Sequence, residues 1–272
     1  MIRTNVIRRW LCLALALALA MLLPLFTAQA QTKPKRVEPA SKPEALLWVG
    51  NSFFYYNNSM HGHFGRLAAA AATRVRSTSV TISGAGLDWN DIDSLLRPNG
   101  LGRYSFVGNN EIRFNPPGRQ YDTVIMMDCS QCPVHPQLKA VFHETVSKFS
   151  MTLARAGVRP VLFMSWAYKD KPEMTAQLAE QYTIAGNAND ALVIPAGIAF
   201  AKALARRPDV ELYEADLRHP SLAGTYLATC TVFASLYGKS PVGLSYDAGL
   251  PKDVALALQT AAWDAVQEYY RP

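Results

Sequence analysis

Two short segments of this 272-residue chain carry side chains suited to nucleophilic chemistry. Gly50-Asn51-Ser52 follows a short apolar run, and Asp216-Leu217-Arg218-His219-Pro220 lies near the C-terminus. A serine hydroxyl becomes a nucleophile when a base removes its proton, and the base needs a carboxylate that orients it. Histidine titrates near neutrality, so it suits the role of base. Ser52, His219 and Asp216 are therefore a candidate nucleophile, base and orienting acid.

Both segments also have a purely structural interpretation. A Gly-Asn-Ser turn is an ordinary helix cap, and Asp216 could cap a helix next to a surface histidine. Taken singly, the two segments leave both interpretations open.

Residues that can stabilise negative charge follow two other predicted strands. Gly84 and Gly86 follow the second strand, and Gln131 follows the third. The negative charge that develops on a tetrahedral intermediate needs backbone N–H groups and side-chain amides aimed at one point. Glycine permits a close approach of the backbone, and glutamine supplies an N–H donor. These residues are candidate oxyanion donors.

Apolar runs alternate with helical stretches along the chain, which indicates an α/β fold with right-handed crossovers and a mostly parallel sheet. We predict one three-layer α/β/α sandwich with a flavodoxin-like sheet of about five strands. Candidate strands are Ala45–Val49, Ser77–Ile82, Thr123–Met127, Val161–Trp166, Ala191–Pro195 and Val210–Tyr213. Candidate helices are His63–Ala72, Leu138–Ala156, Met174–Ala188, Ile198–Arg206, Ala223–Tyr237 and Pro251–Tyr270.

The candidate site residues all lie where a predicted strand passes into a loop. In a parallel α/β sheet, ligands bind beyond the carboxyl ends of the strands, so these residues are expected to meet there. Arg97–Gln120 is dense in Gly, Asn, Pro and Arg, and we predict an insertion loop or a small hairpin rather than a second domain.

The order of these segments resembles that of the SGNH hydrolases, also called GDSL-type esterases and lipases. That family has a nucleophilic Ser after the first strand, a Gly after the second, an Asn after the third and Asp-x-x-His-Pro near the C-terminus. Gly50-Asn51-Ser52, Gly86 and Asp216–Pro220 match these blocks in order, with Asn51 where the family usually has Asp. Gln131 stands in place of the family's Asn, on a side chain that is one methylene longer. The resemblance spans roughly residues 46–237 and points to an exported bacterial subgroup.

The resemblance implies an exported serine esterase that acts on carboxylic esters of short acyl groups, including O-acetyl groups on carbohydrate. Ser52, His219 and Asp216 would form the catalytic triad, and an acyl-enzyme would be the intermediate. The oxyanion would be held by the N–H groups of Ser52 and Gly86 and by the amide of Gln131. No metal and no organic cofactor is implied. A lipase-type or lysophospholipase-type hydrolase and a non-catalytic glycan-binding relative are the alternatives.

An alternative also exists for the third block. Gln131 would be simply a polar loop residue, and Ser130 or backbone groups would complete the oxyanion hole. The flanking Cys129 and Cys132 have the spacing of a redox pair, and an oxidising compartment would permit a disulfide. We interpret them as a local loop staple or as two free thiols.

Residues 1–30 have the features of a cleavable signal peptide. Arg8 and Arg9 precede an apolar run, Trp10–Phe26, which is followed by Ala28-Gln29-Ala30. A spanning helix needs about 20 apolar residues, and this run is shorter and contains a proline. We therefore predict cleavage after Ala30 and a periplasmic or secreted protein, with a membrane anchor as the alternative.

The distribution of charge excludes a basic nucleic-acid-binding face. The net charge of +6 comes entirely from the first 43 residues, and residues 44–272 hold 20 basic and 20 acidic side chains. Residues 31–43 are rich in Lys, Pro and Ser and are predicted to be a flexible tether to a hydrolase-like domain at 44–272. The expected partner is a small-molecule or polysaccharide acyl ester, with no nucleic acid and no stable membrane anchor after cleavage.

His61 and His63 lie two residues apart, without a further Cys or His cluster that would complete a metal site. We expect them to line the pocket rim or to cap the first helix.

Overall fold

The computed structural model of the chain describes residues 32–38, 42–97, 101, 104–108, 111–114 and 118–271. The predicted signal peptide and its cleavage site lie outside the described residues. Within the described part of the chain, no helix has the length and apolar character needed to cross a membrane.

The sheet is built from five short strands: β1 (Ala45–Gly50), β2 (Arg76–Thr81), β5 (Thr123–Met126), β6 (Arg159–Phe163) and β7 (Leu192–Ile194). All neighbouring pairs are parallel, and their spatial order is β2-β1-β5-β6-β7. The predicted insertion contains an antiparallel hairpin, β3 (Tyr104–Gly108) and β4 (Glu111–Phe114). Without this hairpin, the strand order is that of a flavodoxin-like doubly wound sheet. The predicted fold class is confirmed.

Eight helices accompany the sheet in the described part of the chain: α1 (Ser52–Tyr55), α2 (Met60–Ala70), α3 (Ile92–Leu96), α4 (Lys139–Arg155), α5 (Met174–Ala188), α6 (Ala196–Arg206), α7 (Leu222–Tyr237) and α8 (Lys252–Tyr269). The longer six agree with the predicted helices, and the short helices α1 and α3 were not predicted. Helix α7 packs against α2, α6 and α8, and α6 also packs against α8, while α4 packs against α5.

The inner strands are buried because helices cover both faces of the sheet. All residues of β5 and β7 are buried, as are all but the first of β1. Apolar runs without polar alternation are typical of such strands. β2 lies at the edge of the sheet and is only half-buried, which agrees with its polar sequence, RSTSVT.

The predicted strand at Val210–Tyr213 is wrong. The structure has a single isolated bridge there, between Tyr213 and Pro220. The N–H of Ser221 donates to the carbonyl of Leu212 (3.0 Å), so this segment pairs with residues that follow it in the chain and not with β7. The apolar run therefore forms the base of a folded-back loop, and that loop carries Asp216 and His219.

Part of the predicted tether is bound to the domain. The backbone N–H and hydroxyl of Thr32 donate to the carboxylate of Glu180 on α5 (3.2 and 2.6 Å), and the N–H of Lys35 donates to Asn187 (2.7 Å). Arg36 forms an ion pair with Asp190. Residues 32–36 are therefore not a free linker, because α5 offers polar groups that match their backbone and side chains.

Helix α6 begins unusually close to the end of β6. The N–H of Gly197 donates to the carbonyl of Met164 (3.1 Å), and a Cβ at Gly197 would lie 2.4 Å from the carbonyl oxygen of Ser165. A side chain at this position would push α6 away from the strand end. Gly65 on α2 has open space around its Cβ position, so it provides a matched comparison.

We expect opposite effects from adding one methyl group at these two helical glycines. Gly197→Ala forces a clash with backbone and is expected to lower the free energy of unfolding by about 1–3 kcal/mol. Gly65→Ala meets no atom, and it reduces the entropy of the unfolded chain, so a gain of about 0.4–1 kcal/mol is expected. Urea unfolding of both variants measures the two shifts. Equal shifts would contradict the close packing of α6 on β6.

Candidate active site

Ser52 is presented at the turn between β1 and α1. Asn51 is the N-cap of α1, and its side-chain oxygen accepts the N–H of Phe53 (3.2 Å). Ser52 is the first residue of the helix and is 7% exposed. A sharp strand-to-helix turn of this kind aims the serine hydroxyl at the space beyond the sheet.

The three predicted catalytic side chains lie together. Nε2 of His219 is 2.8 Å from Oγ of Ser52, and Nδ1 of His219 is hydrogen-bonded to the carboxylate of Asp216. Because a carboxylate only accepts, we assign the ring proton to Nδ1, which leaves Nε2 to accept the serine proton. This is the arrangement that a serine nucleophile with a histidine base requires.

The charge on Asp216 is favoured by its neighbours. Partial desolvation opposes ionisation, but hydrogen bonds from the His219 ring and from the N–H groups of His219 and Arg218 outweigh it and lower the pKa of Asp216 to about 2. A carboxyl whose folded-state pKa is lowered stays charged at pH values below its ordinary titration range, and its contribution is lost only as the pH falls toward 2. Asp216 can therefore orient the imidazole at neutral and mildly acidic pH.

The loop that carries His219 is held through its backbone. Four successive carbonyl groups, from Leu217 to Pro220, each accept a hydrogen bond. In order, the donors are the N–H of Lys169 (2.9 Å), the indole of Trp166 (2.9 Å), the N–H of Glu214 (2.8 Å) and the side-chain amide of Asn57 (2.8 Å). Leu217 has a left-handed backbone (φ 63°), which these contacts maintain.

Asn51 ties three strand ends together. Its amide nitrogen donates to the carbonyls of Ala85 and Asp128, both at 3.1 Å, and the residue is 4% exposed. These carbonyls lie in the loops that follow β2 and β5. An ionised aspartate has no N–H group to donate, so the amide here explains why asparagine suits this chain where the family has Asp.

Two backbone N–H groups near Ser52 are available to an oxyanion. Those of Ser52 and Gly86 donate to no other group in the part of the chain that the structure describes. In a trans peptide the C=O and N–H point in opposite directions, so the bond from Asn51 to the carbonyl of Ala85 fixes where the N–H of Gly86 points. Gly84 has φ +69°, which suits glycine in the turn before it.

The loop after β5 is closed by a disulfide. Cys129 and Cys132 are bridged, with a Cα–Cα distance of 5.2 Å. Their sulfurs lie with the carboxylate of Asp128 within metal-ligating distance of one another, but bridged sulfurs offer no thiolate to an ion. The loop-staple interpretation therefore agrees with the structure, and the interpretation as free thiols does not.

Gln131 lies between these cysteines with its side chain exposed. Its amide has no hydrogen-bond partner among the described residues, and its backbone begins the 3₁₀ turn Cys132–Val134. Ser130 is half-buried, and its hydroxyl is 2.7 Å from the hydroxyl of Tyr168. The role of Gln131 as an oxyanion donor stays a prediction.

Several residues of the site were not found from the sequence. The ring of Tyr56 stacks on His219, with centroids 4.2 Å apart, and Phe53 meets the same imidazole edge-on at 5.4 Å. Aromatic residues follow Ser52 in the chain, but no spacing rule indicates which of them will face the histidine.

Asp128 is a third residue of the site that was not found from the sequence. It is 4% exposed, and one carboxylate oxygen accepts the N–H groups of Leu87 and Cys129, both at 2.7 Å. Burial raises its pKa, and these two hydrogen bonds oppose the shift. Asp128 therefore links the loop after β2, which contains Gly86, to the loop after β5, which contains the disulfide.

His61 and His63 bind different groups. Nδ1 of His61 is 2.6 Å from the hydroxyl of Ser59. His63 is buried, with its ring between the carbonyl of Asn57 (2.6 Å) and the hydroxyl of Tyr246 (2.7 Å). Neither predicted role, at a pocket rim or as a helix cap, describes the buried ring of His63.

No family model matches this sequence, and no curated protein matches it. Solved structures do match. A DUF4886 family protein from Bacteroides uniformis is 16% identical, with a TM-score of 0.62 over 84% of this chain and 96% of that one. A protein from Slackia heliotrinireducens, whose description proposes an SGNH hydrolase, is 22% identical (TM-score 0.50, 71% and 98% covered). The acetylxylan esterase Axe2 from Geobacillus stearothermophilus is 13% identical (TM-score 0.50, 74% and 96% covered).

At sequence identities this low, similarity to a solved structure establishes the fold and nothing finer. The chain has the α/β/α fold of the SGNH hydrolases, and the resemblance seen in the sequence is confirmed at that level.

The predicted role of Gln131 as an oxyanion donor can be tested directly, because its side-chain amide is exposed. If it donates to the oxyanion, Gln131→Ala is expected to lower kcat by about 10²–10³, as deletion of one such donor does elsewhere. KM should change much less, because the contact strengthens mainly in the transition state. Gln131→Asn, with its shorter reach, is expected to keep partial activity. Steady-state kinetics on p-nitrophenyl acetate measures these effects.

Ser130→Ala is the matched comparison within the same loop. Nearly full kcat in Gln131→Ala, together with a large loss in Ser130→Ala, would assign the donor to Ser130 and reject Gln131.

Proposed function

We propose that this chain is an exported serine esterase that hydrolyses carboxylic esters of short acyl groups, with O-acetyl groups on carbohydrate as its substrate class. The observation that carries the proposal is the 2.8 Å contact between Oγ of Ser52 and Nε2 of His219, with Asp216 on the other ring nitrogen. The fold supports it, because this fold is found in SGNH hydrolases.

In the first half of the reaction, Oγ of Ser52 attacks the ester carbonyl carbon while its proton moves to Nε2 of His219. The carboxylate of Asp216 stabilises the imidazolium and keeps the ring in the required tautomer. The carbonyl oxygen becomes an oxyanion, which the N–H groups of Ser52 and Gly86 and the amide of Gln131 stabilise.

Collapse of the tetrahedral intermediate breaks the ester C–O bond, and His219 gives its proton to the departing alcohol oxygen. An acyl group then remains on Ser52. Water attacks the carbonyl carbon of this acyl group while His219 removes a proton from the water. The same donors hold the second oxyanion. The products are the acid and the alcohol, and Ser52 regains its proton from His219.

Exposure at the site supports an ester carried on a bulky polar molecule. The side chain of Asp216 is 44% exposed and that of His219 is 24% exposed, so the imidazole and its carboxylate face an open surface beside the buried Ser52. Trp89, three residues after Gly86, is 64% exposed and offers an aromatic face to a sugar ring. The description of one structural neighbour, an acetylxylan esterase, agrees with this substrate class.

The proposed nucleophile can be tested with a fluorescent serine-reactive phosphonate. Wild-type protein is expected to be labelled at Ser52, and Ser52→Ala is expected to lose labelling and several orders of magnitude of kcat on p-nitrophenyl acetate, while keeping its melting temperature. Ser83→Ala, at an exposed serine in a neighbouring loop, is the control and should behave as wild type.

Activity of Ser52→Ala within threefold of wild type would reject the assignment. Unlabelled, inactive wild-type protein would favour the glycan-binding alternative. A series of aryl esters then separates the two hydrolases: acetate is the preferred substrate of the proposed esterase, and long acyl chains are preferred by a lipase-type enzyme.

Export is part of the proposal. It is supported by the n-region, apolar run and Ala-x-Ala site of residues 1–30, and it agrees with the disulfide between Cys129 and Cys132. N-terminal sequencing of protein from the cell envelope or medium is expected to begin at Gln31. Recovery of full-length chain that begins at Met1 in the membrane fraction would instead support an anchored form.

A further inference from the structure

The base of this site is bonded to a carboxylate that faces solvent. The side chain of Asp216 is exposed and that of His219 is half-buried, so water competes for the hydrogen bond between them. The Asp216–His219 bond therefore fixes the ring only partly, and other contacts must keep the imidazole aimed at Ser52.

The ring of Tyr56 provides one of these contacts. It stacks on His219 with an interplanar angle of 10° and a centroid distance of 4.2 Å. Tyr56 is the C-cap of α1, the helix that begins at Ser52, and its N–H donates to the carbonyl of Ser52 (3.1 Å). The nucleophile and the ring that covers the base therefore lie on the same helical turn.

Asn57 provides the second contact. Its side-chain nitrogen donates to the carbonyl of Pro220, directly after the histidine (2.8 Å), and to the hydroxyl of Thr225 on α7 (2.9 Å). These two bonds join the segment after α1 to the loop of the base and to the helix that follows it.

The backbone of Asn57 is itself held in place. Asn57 has φ 53°, and Asn58 and Ser59 are also left-handed, so the segment is strained. The buried ring of His63 bonds the carbonyl of Asn57 through Nε2 and the hydroxyl of Tyr246 through Nδ1. A strained segment persists only where the surrounding structure maintains it, and here a buried network does so.

We propose that Tyr56 and Asn57 are positioning residues for His219: they join the nucleophile's helix and the base's loop into one unit, Tyr56 through its ring and Asn57 through its amide. The proposal rests on the proposed function, because it concerns the same base. Neither residue takes up or donates a proton in the reaction, and each acts only through its contact with His219 or with the loop that carries it.

The hydroxyl of Tyr56 has no part in this role. Desolvation, together with the charge of Asp216, raises the pKa of Tyr56 above its ordinary value, so the phenol stays neutral in an ester assay. The stacked ring, which phenylalanine also has, is what the position requires.

The test compares Tyr56→Ala with Tyr56→Phe. Tyr56→Ala is expected to lower kcat by roughly tenfold, the upper end of what one aromatic stack contributes, with KM within about twofold of wild type. Tyr56→Phe is expected to restore kcat to within about threefold. A merely structural role would not give this separation of kcat from KM with rescue by a ring.

Tyr55→Ala is the matched control on the same helical turn. Tyr55 is exposed, its hydroxyl is 3.1 Å from Ser83, and it stacks on Tyr56 and has no described contact with His219. Its kcat is expected to stay within about twofold of wild type. A loss equal to that of Tyr56→Ala would overturn the proposal.

Asn57→Gly tests the second contact, because glycine adopts φ 53° without strain and removes only the amide. It is expected to lower kcat by about threefold to tenfold with an unchanged KM. The proposal is overturned if kcat in both Tyr56→Ala and Asn57→Gly stays within twofold of wild type, or if Tyr56→Phe is as impaired as Tyr56→Ala.

These outcomes are distinct from failure of the proposed function. Phosphonate labelling of wild type and not of Ser52→Ala establishes the nucleophile before the series is measured. If wild type is not labelled, the proposed function fails first, and the positioning role, which rests on it, fails with it.

Discussion

The site depends on a single contact between distant parts of the chain, the hydrogen bond from Ser52 to His219 across 167 residues. In the described part of the chain, no deeply buried charged group holds either residue in place, since Asp216, which bonds to His219, is exposed. Ser52 is fixed by the turn from β1 into α1, and His219 lies on a loop outside the sheet. The contact therefore forms only if the loop is held at a fixed distance from the end of β1. Hydrogen bonds to four successive carbonyl groups, Leu217 to Pro220, provide that restraint.

The other side of the site depends on buried polar groups. The amide of Asn51 and the carboxylate of Asp128 bond to the loops that follow β2 and β5. Buried polar groups are costly unless they are hydrogen-bonded, so these bonds hold the strand ends in one relative position. The bond from Asn51 to the carbonyl of Ala85 also fixes the direction of the Gly86 N–H, which is a candidate oxyanion donor.

The two sides of the site differ in how far their residues are buried. Asn51 and Asp128 are almost fully buried, whereas Gln131, Asp216 and His219 lie toward solvent. A buried, bonded frame can hold backbone donors rigidly, and an open face can admit a large ester. The disulfide between Cys129 and Cys132 constrains the loop that runs from the buried Asp128 to the exposed Gln131.

The amino-acid sequence by itself determined the fold class, five of the sheet's strands and the identity of the candidate triad. Those features are local: apolar runs, helical periodicity and short motifs at strand ends are properties of neighbouring residues. A general rule of parallel sheets, which does not depend on side-chain detail, placed Ser52, Gly86 and Gln131 at one edge of the sheet. The rule did not place Asp216 and His219, because the strand predicted before them does not form.

Only the tertiary structure decided the rest. Val210–Tyr213 looks like a strand by its apolar residues. However, its carbonyl at Leu212 accepts the N–H of Ser221, from the loop that folds back over it. Which aromatic ring faces His219, and which carbonyls Asn51 bonds, depends likewise on groups brought together from distant segments. A donor's partner is chosen by three-dimensional proximity and burial, and sequence spacing carries no record of either.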